Sequence, residues 1–479
     1  MAGRLGRRVV LASGMISPTL AEGVLGGARR AGADFAELYV ERWRRRSLRT
    51  IDGEVEEATS AIEQGAGLRL FFGLDVVYAY TNDLADDALR DLLTTLARLR
   101  GGAGVVDEHG GGGLDLRRRT ARGIHAPTDD YDTRSKAWRV ERLREVDAGA
   151  RVSPFVRQVE ARLIEWEQEV LVVHSEGAWV EDRRVRTRCT ASVIAAEGQS
   201  TETGYAAPGL SVGLELFDRH PPRAIGEAAG RQALVNLAAR PAPAGTMPVV
   251  LGSGFGGVIF HEALGHLVET TSVARRASVL TDKLGEQVAS PLVTYVDDGT
   301  TPNGWGSSEY DDEGMATERT VLIDRGVLTS YMVDRLGAMQ TGYARTGSGR
   351  RENYTFAPTS RMRNTFVLPG EVAEPADLFA GIEFGLYAKA MGGGQVMPGS
   401  GEYNFAVKEG YLIRGGSIAE PVKGAMLVGK GPETIRRVDA VARDLATEPG
   451  MCGSLSGSVP TEVGQPHLRV SQIVVGGQA

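Results

Sequence analysis

The chain has 479 residues, more than one ordinary core holds, so it is expected to divide into two or three domains that fold without staples. Only Cys189 and Cys452 are present, which excludes a disulfide framework and fits a reducing, cytoplasmic setting. A formal net charge of -7 disfavours direct nucleic-acid binding, and no apolar run approaches the roughly 20 residues of a membrane helix.

At the N-terminus Arg4, Arg7 and Arg8 flank Val9, Val10 and Leu11, but Ser13 and Gly14 end the run too early for an export signal. Apolar residues at helical spacing predict helices over 19–31 and 85–99. Between them, 35–40, 47–51, 67–72 and 75–80 are rich in β-branched and aromatic residues and read as a small curved sheet, with a turn at Asp52 and Gly53. Residues 1–100 therefore form an N-terminal α/β sheet domain, and the Gly-, Pro- and Asp-rich stretch 101–135 reads as a linker.

A central helix-plus-strand domain is placed at 136–240, with helices over 138–148, 154–161 and 224–239 and strands over 169–175, 178–181 and 184–197. The arginine-rich stretches 42–49 and 183–188 read as solvated strand faces, because stacking aromatics are not interleaved with them. The Pro/Ala/Gly stretch 240–245 marks the next boundary. From 241 to 479 the pattern is strand and glycine-rich turn, broken by a helix through a histidine motif and another over 432–446. The expected fold class is α+β: helix-plus-antiparallel-sheet domains, then a β-rich domain carrying a metal-binding helix.

The chemistry lies at His261, Glu262, His266 and Glu269, approached through Gly256 and Gly257. Two imidazoles and an adjacent carboxylate are what metal-assisted hydrolysis needs, since neutral imidazoles hold Zn²⁺ while a glutamate takes a proton from water. The histidines stand five apart, whereas four apart is the usual spacing on one helical face. At about 100° per residue, five positions rotate the second ring roughly 140° from the first. A π-bulge or a helix break is therefore expected near Gly265. Glu269 and Cys452 are both candidates for a third ligand, Cys452 being otherwise a small core residue, and Cys189 reads as core filler.

These residues resemble the hallmark of the TldD/PmbA metallopeptidases, also called modulators of DNA gyrase. In order along the chain they are accompanied by Asp312, Glu313 and Gly314, by Arg361, Met362, Arg363 and Asn364, by 392–396, 410–413, 421–424, Cys452 with Gly453, and 464–466. The stretches 33–37 and 65–69 are similar to the family's first domain, so the likeness covers nearly the whole chain. The resemblance implies zinc held by His261, His266 and Cys452, with Glu262 as general base and Glu269 in a supporting role. It further implies an extended, flexible peptide substrate, such as a leader segment of a modified peptide or an unfolded antitoxin. The partner it implies is an inactive TldE/PmbA-like paralogue, or a second copy of the chain.

The stretch 453–457 departs from the Lys and Gly-Gln pair more usual in the family. For the transition state, Arg350, Arg351, Tyr354, Arg361 and His467 are candidate oxyanion partners, and 392–394 with Asn404 are candidate cleft formers. A different class of function is a non-catalytic, zinc-stabilised scaffold or regulator, which would need no base beside its ligands.

Overall fold

The structure is a computed structural model that describes residues 14–99, 114–397 and 399–477. The arginines before residue 9 and the glycine-rich 101–113 part of the expected linker lie outside the described residues. The chain is α+β, with 45% strand and 23% helix, so sheets set its architecture.

The strand Phe35–Ile51 organises the N-terminal half. It pairs antiparallel with Glu54–Phe72 on one side and with Val156–His174 on the other, so residues from before and after the expected linker build one eight-stranded sheet. Alternation then divides the strand's side chains between two faces. Ala36, Leu38, Val40 and Leu48 face the helices. Pro18–Arg30 and Asp86–Leu99 cover one end of that face, Lys136–Ala150 and Pro222–Ala238 the other. Two of these helices start on serine caps, Ser17 Oγ accepting from Leu20 N at 3.1 Å and Ser135 Oγ from Trp138 N at 3.1 Å.

The odd-numbered residues Glu37, Tyr39 and Glu41 face the C-terminal half instead and are fully buried there. Arg69 bridges Glu37 and Glu313, both at 2.7 Å, and Arg351 reaches Glu37 at 2.5 Å. Glu41 accepts from Tyr354 N at 2.7 Å, and burial pushes its carboxyl above the usual range. Arg69→Ala is therefore expected to destabilise the protein by about 1.5–3 kcal/mol, because it removes charged hydrogen bonds from two buried carboxylates and leaves Glu37 to Arg351 and Glu313 to Arg345. Denaturant unfolding measures this, and a loss under about 1 kcal/mol would show that water reaches the network.

Three expectations need correction. Residues 154–161 are not helical: after a turn the chain enters the strand Val156–His174, where Val159, Ala161 and Leu163 are buried at alternate positions, the last two opposite Thr50 and Leu48. The helix expected over 432–446 stops early, at Gly431–Arg436, because Val438 and Val441 are drawn into pairing with Leu468–Gly476. The arginines at 183–188 are not a solvated face. Arg184 reaches Asp312 at 2.6 Å, Arg186 donates to Trp305 O at 2.8 Å, and Arg183 pairs with Glu167 at 2.6 Å.

In the C-terminal half two sheets enclose a short helix, Val258–Ala263. In one, the pairings run Phe384–Met397, Gly245–Leu251, Leu468–Gly476, Met426–Lys430, Glu402–Arg414 and back to Phe384–Met397, closing on themselves. The other carries Tyr295–Asp298, Asn364–Val367, Gly457–Gln465 and, at its edge, Ala446–Ser454. Val249, Leu251, Phe405 and Leu427 from the first and Tyr295, Val367, Val459 and Val463 from the second share one core with Ile259, Phe260 and Ala263. The helix is held between two rigid layers.

Candidate metal centre

The strand Gly245–Leu251 leads through the turn Gly254–Gly257 into the helix Val258–Ala263. Gly257 is required by contact, since a Cβ there would lie 2.5 Å from Gly464 O. The helix breaks at Leu264, at φ -129° and ψ -51°, and a 3-10 turn, Gly265–Val268, follows. That break answers the five-residue spacing. It brings the His261 and His266 rings to 5.2 Å between centroids, 84° apart in plane.

Gly265 sits at the break with no room for a side chain, because a Cβ would lie 2.0 Å from Met362 Sδ. Gly265→Ala is expected to cost about 1–3 kcal/mol in stability through overpacking. It should also move His266 from His261 and weaken metal uptake. Thermal melting and metal content of the purified variant measure the two effects, and wild-type values for both would show that Met362 yields freely.

Cys452 arrives from the edge strand Ala446–Ser454, which pairs antiparallel with Gly457–Gln465. Its Sγ lies 3.2 Å from His261 Nε2 and 3.3 Å from His266 Nε2, and the three candidate ligand atoms lie within 4.8 Å of one another. Zinc–sulfur and zinc–nitrogen bonds of ordinary length at tetrahedral angles put sulfur and nitrogen about 3.5 Å apart, so the donor set fits.

The outward ring nitrogens are also held. His266 Nδ1 meets Glu269 Oε2 at 2.9 Å and His261 Nδ1 meets Thr365 Oγ1 at 3.3 Å, leaving each Nε2 for the centre. Glu269 thus stands behind His266, 2% exposed, with Oε1 accepting from Met362 N at 3.3 Å. Of the two candidates for a third ligand, the structure brings Cys452 to the histidines and turns Glu269 to their far side.

The groups set one another's charge. Burial opposes ionisation of the Cys452 thiol, yet His261 and His266 hold it well below its usual range. Burial likewise disfavours protonated His266, and Glu269 with Cys452 raises it well above the ordinary value. A deprotonated Cys452 is the form in which a metal would be bound, with the His266 proton given up. Glu262 lies beside the ligand atoms, its Oε2 3.7 Å from His266 Nε2 and its side chain 21% exposed. Cys189 is buried among Ala191, Val193 and Leu163, and burial pushes its thiol up to about 12, as fits core filler.

The candidate oxyanion partners have other partners. Arg350 donates to Pro460 O at 2.7 Å, Arg351 pairs with Glu37, and Arg361 donates to Cys452 O. Tyr354 packs at Gly65 and Tyr80, and His467 is held by Asp444 at 2.6 Å and Tyr387 at 2.9 Å. Residues 392–394 and Asn404 lie in the hairpin of Phe384–Met397 with Glu402–Arg414, where a cavity of about 680 Å³ is lined by Gln395, Met397, Tyr403, Asn404 and Met426. Sequence reasoning missed Thr365 and Met362 as supports; a signal existed only for Met362, inside the 361–364 motif.

Models of the PmbA/TldA metallopeptidase first, central and C-terminal domains match residues 36–99, 129–237 and 244–477. The chain is 38% identical to a protein named metalloprotease TldD homolog from Haemophilus influenzae, over 93% of each chain. The chain belongs to the PmbA/TldD metallopeptidase family. Its relatives include an archaeal protein named metalloprotease from Methanothermobacter thermautotrophicus, 32% identical over 93% of this chain and 96% of that one.

Two solved structures share the fold of this PmbA/TldD member. A Thermotoga maritima protein described as a modulator of a DNA gyrase superposes with a TM-score of 0.77 at 18% identity, covering 95% of this chain and 99% of that one. TldE from Thermococcus kodakarensis superposes with a TM-score of 0.75 at 17% identity, covering 96% and 100%. Among the described residues no helix is long and apolar enough to cross a membrane.

Proposed function

We propose that the chain is a zinc-dependent peptidase that hydrolyses flexible or unfolded peptides, with zinc held by His261, His266 and Cys452 and water activated beside Glu262. The observation that carries this reading is the convergence of the three donor atoms within 4.8 Å, with the Glu262 carboxylate 3.7 Å from one of them. A closed structural site needs no such carboxylate beside its ligands. Zinc bound there supplies a Lewis acid for the scissile carbonyl and makes hydroxide available near neutral pH.

The chain's own residues do the rest. Glu262, exposed enough to meet solvent, takes the proton of the attacking water and returns it to the leaving amine. Glu269 and Thr365 hold the two imidazoles with Nε2 inward. An extended peptide suits a site between sheets, where backbone hydrogen bonds give affinity without strong sequence preference. Leader segments of modified peptides and unfolded antitoxins are substrates of this kind. The working assembly we propose is a cytoplasmic dimer with an inactive TldE-like paralogue, or of two like chains, in which 1–100 and 136–240 are companion domains to the 241–479 peptidase.

The test is metal content together with hydrolysis of an unstructured peptide, by the chain alone and with the paralogue added. Near-stoichiometric zinc and cleavage in either case support the proposal. A zinc-replete protein inactive in both would favour a zinc-stabilised scaffold.

A further inference from the structure

Arg361 is fully buried, yet neither the ligand set nor the proton transfers above use it. Its guanidinium is spent on one short hairpin. One terminal nitrogen donates to Cys452 O, and the other donates to Ser456 Oγ at 3.0 Å and Gly457 O at 2.9 Å. All three acceptors lie within 452–457, around the turn that joins Ala446–Ser454 to Gly457–Gln465. The remaining edge, Nε, makes no hydrogen bond and faces Glu269 Oε1 at 3.9 Å. The other oxygen of Glu269 holds His266 Nδ1 at 2.9 Å.

One planar group therefore donates to the backbone of one proposed ligand and lies 3.9 Å from the carboxylate that orients another. His266 and Cys452 are 186 positions apart in sequence. Among the described contacts only this guanidinium reaches both the Cys452 main chain and Glu269. Its own backbone is fixed by Arg361 N donating to Ser348 O at 2.9 Å. The acceptor Ser456 is fully buried.

We propose that Arg361 is a positioning residue that sets the Cys452 sulfur against the His266 imidazole, with Ser456 as an anchor for it. This rests on the metal-site reading above. A fork of fixed geometry is needed, because two of its nitrogens serve three acceptors, and an ammonium group with the same charge has one donor atom to reach them. The consequence is a site whose ligand field, and not only its stability, depends on residue 361.

The experiment uses the full chain, stripped of metal and titrated with Co²⁺ against a competing chelator, for wild type, Arg361→Lys and Ser456→Ala, with melting of the metal-free forms alongside. Wild type should show thiolate-to-cobalt charge transfer and tetrahedral ligand-field bands. Arg361→Lys should bind about 10–100-fold more weakly, with shifted ligand-field bands. Ser456→Ala should shift the bands in the same direction by less.

Wild-type affinity and spectra in both variants, whatever their melting temperatures, overturn the proposal and leave Arg361 a purely structural residue. Should Arg361→Lys fail to fold, Ser456→Ala decides alone, and unchanged bands overturn it. Wild type that binds no Co²⁺, or binds it without thiolate charge transfer, defeats the metal-site reading itself, which is a separate result.

Discussion

Glu262→Gln is expected to retain the metal and to lose peptide hydrolysis by a factor of about 10²–10⁴, the range that a positioned general base contributes. The substitution keeps shape and removes only the capacity to take a proton. The three proposed ligands keep their mutual contacts: Cys452 meets the imidazoles at 3.2 and 3.3 Å, and Glu262, 3.7 Å from His266 Nε2, is not one of those donors. With its side chain 21% exposed, Glu262 is not a core residue, and stability should stay within about 0.5 kcal/mol. Metal analysis and a peptide assay on the same preparation separate the readings. Hydrolysis within a few-fold of wild type would assign the proton transfer to another group, and biological activity surviving without hydrolysis would favour the scaffold.

Much of this site was legible because its logic is local. Helical arithmetic on His261 and His266 demanded a break, and the break stands at Leu264 and Gly265. The long strands were read as fragments, since the polar residues of 41–47 interrupt the apolar pattern that marks strands such as 35–40. What joins the fragments is pairing along the full length of Phe35–Ile51, which no single segment encodes.

The misreadings share that cause. Apolar residues at 156 and 159 fit a helical period, and only the partner strand reveals that 159, 161 and 163 share a face. An arginine at every second position looks solvated until residues 305–312, more than a hundred positions away, cover it. Arg361 was visible in a motif, but its partners Cys452, Ser456 and Glu269 come from two other segments, so its place could be found only in three dimensions.

Cys452→Ala is expected to lose zinc by more than the roughly 10–100-fold that disturbing a supporting residue costs, because it removes one of three protein donors outright. No other thiol can substitute: Cys189, the only other cysteine, is sealed in the core of the N-terminal half. His261→Ala should behave alike, and both should abolish hydrolysis.

A melting experiment makes this independent of activity. Metal that binds the folded chain alone stabilises it by RT ln(1 + [L]/Kd), so a chelator should lower the melting temperature of wild type and leave Cys452→Ala unmoved. A chelator shift of equal size in both would place the metal elsewhere. With Cys452 only 6% exposed, its replacement by alanine also opens a small cavity, but that loss is present with or without chelator and cancels in the comparison.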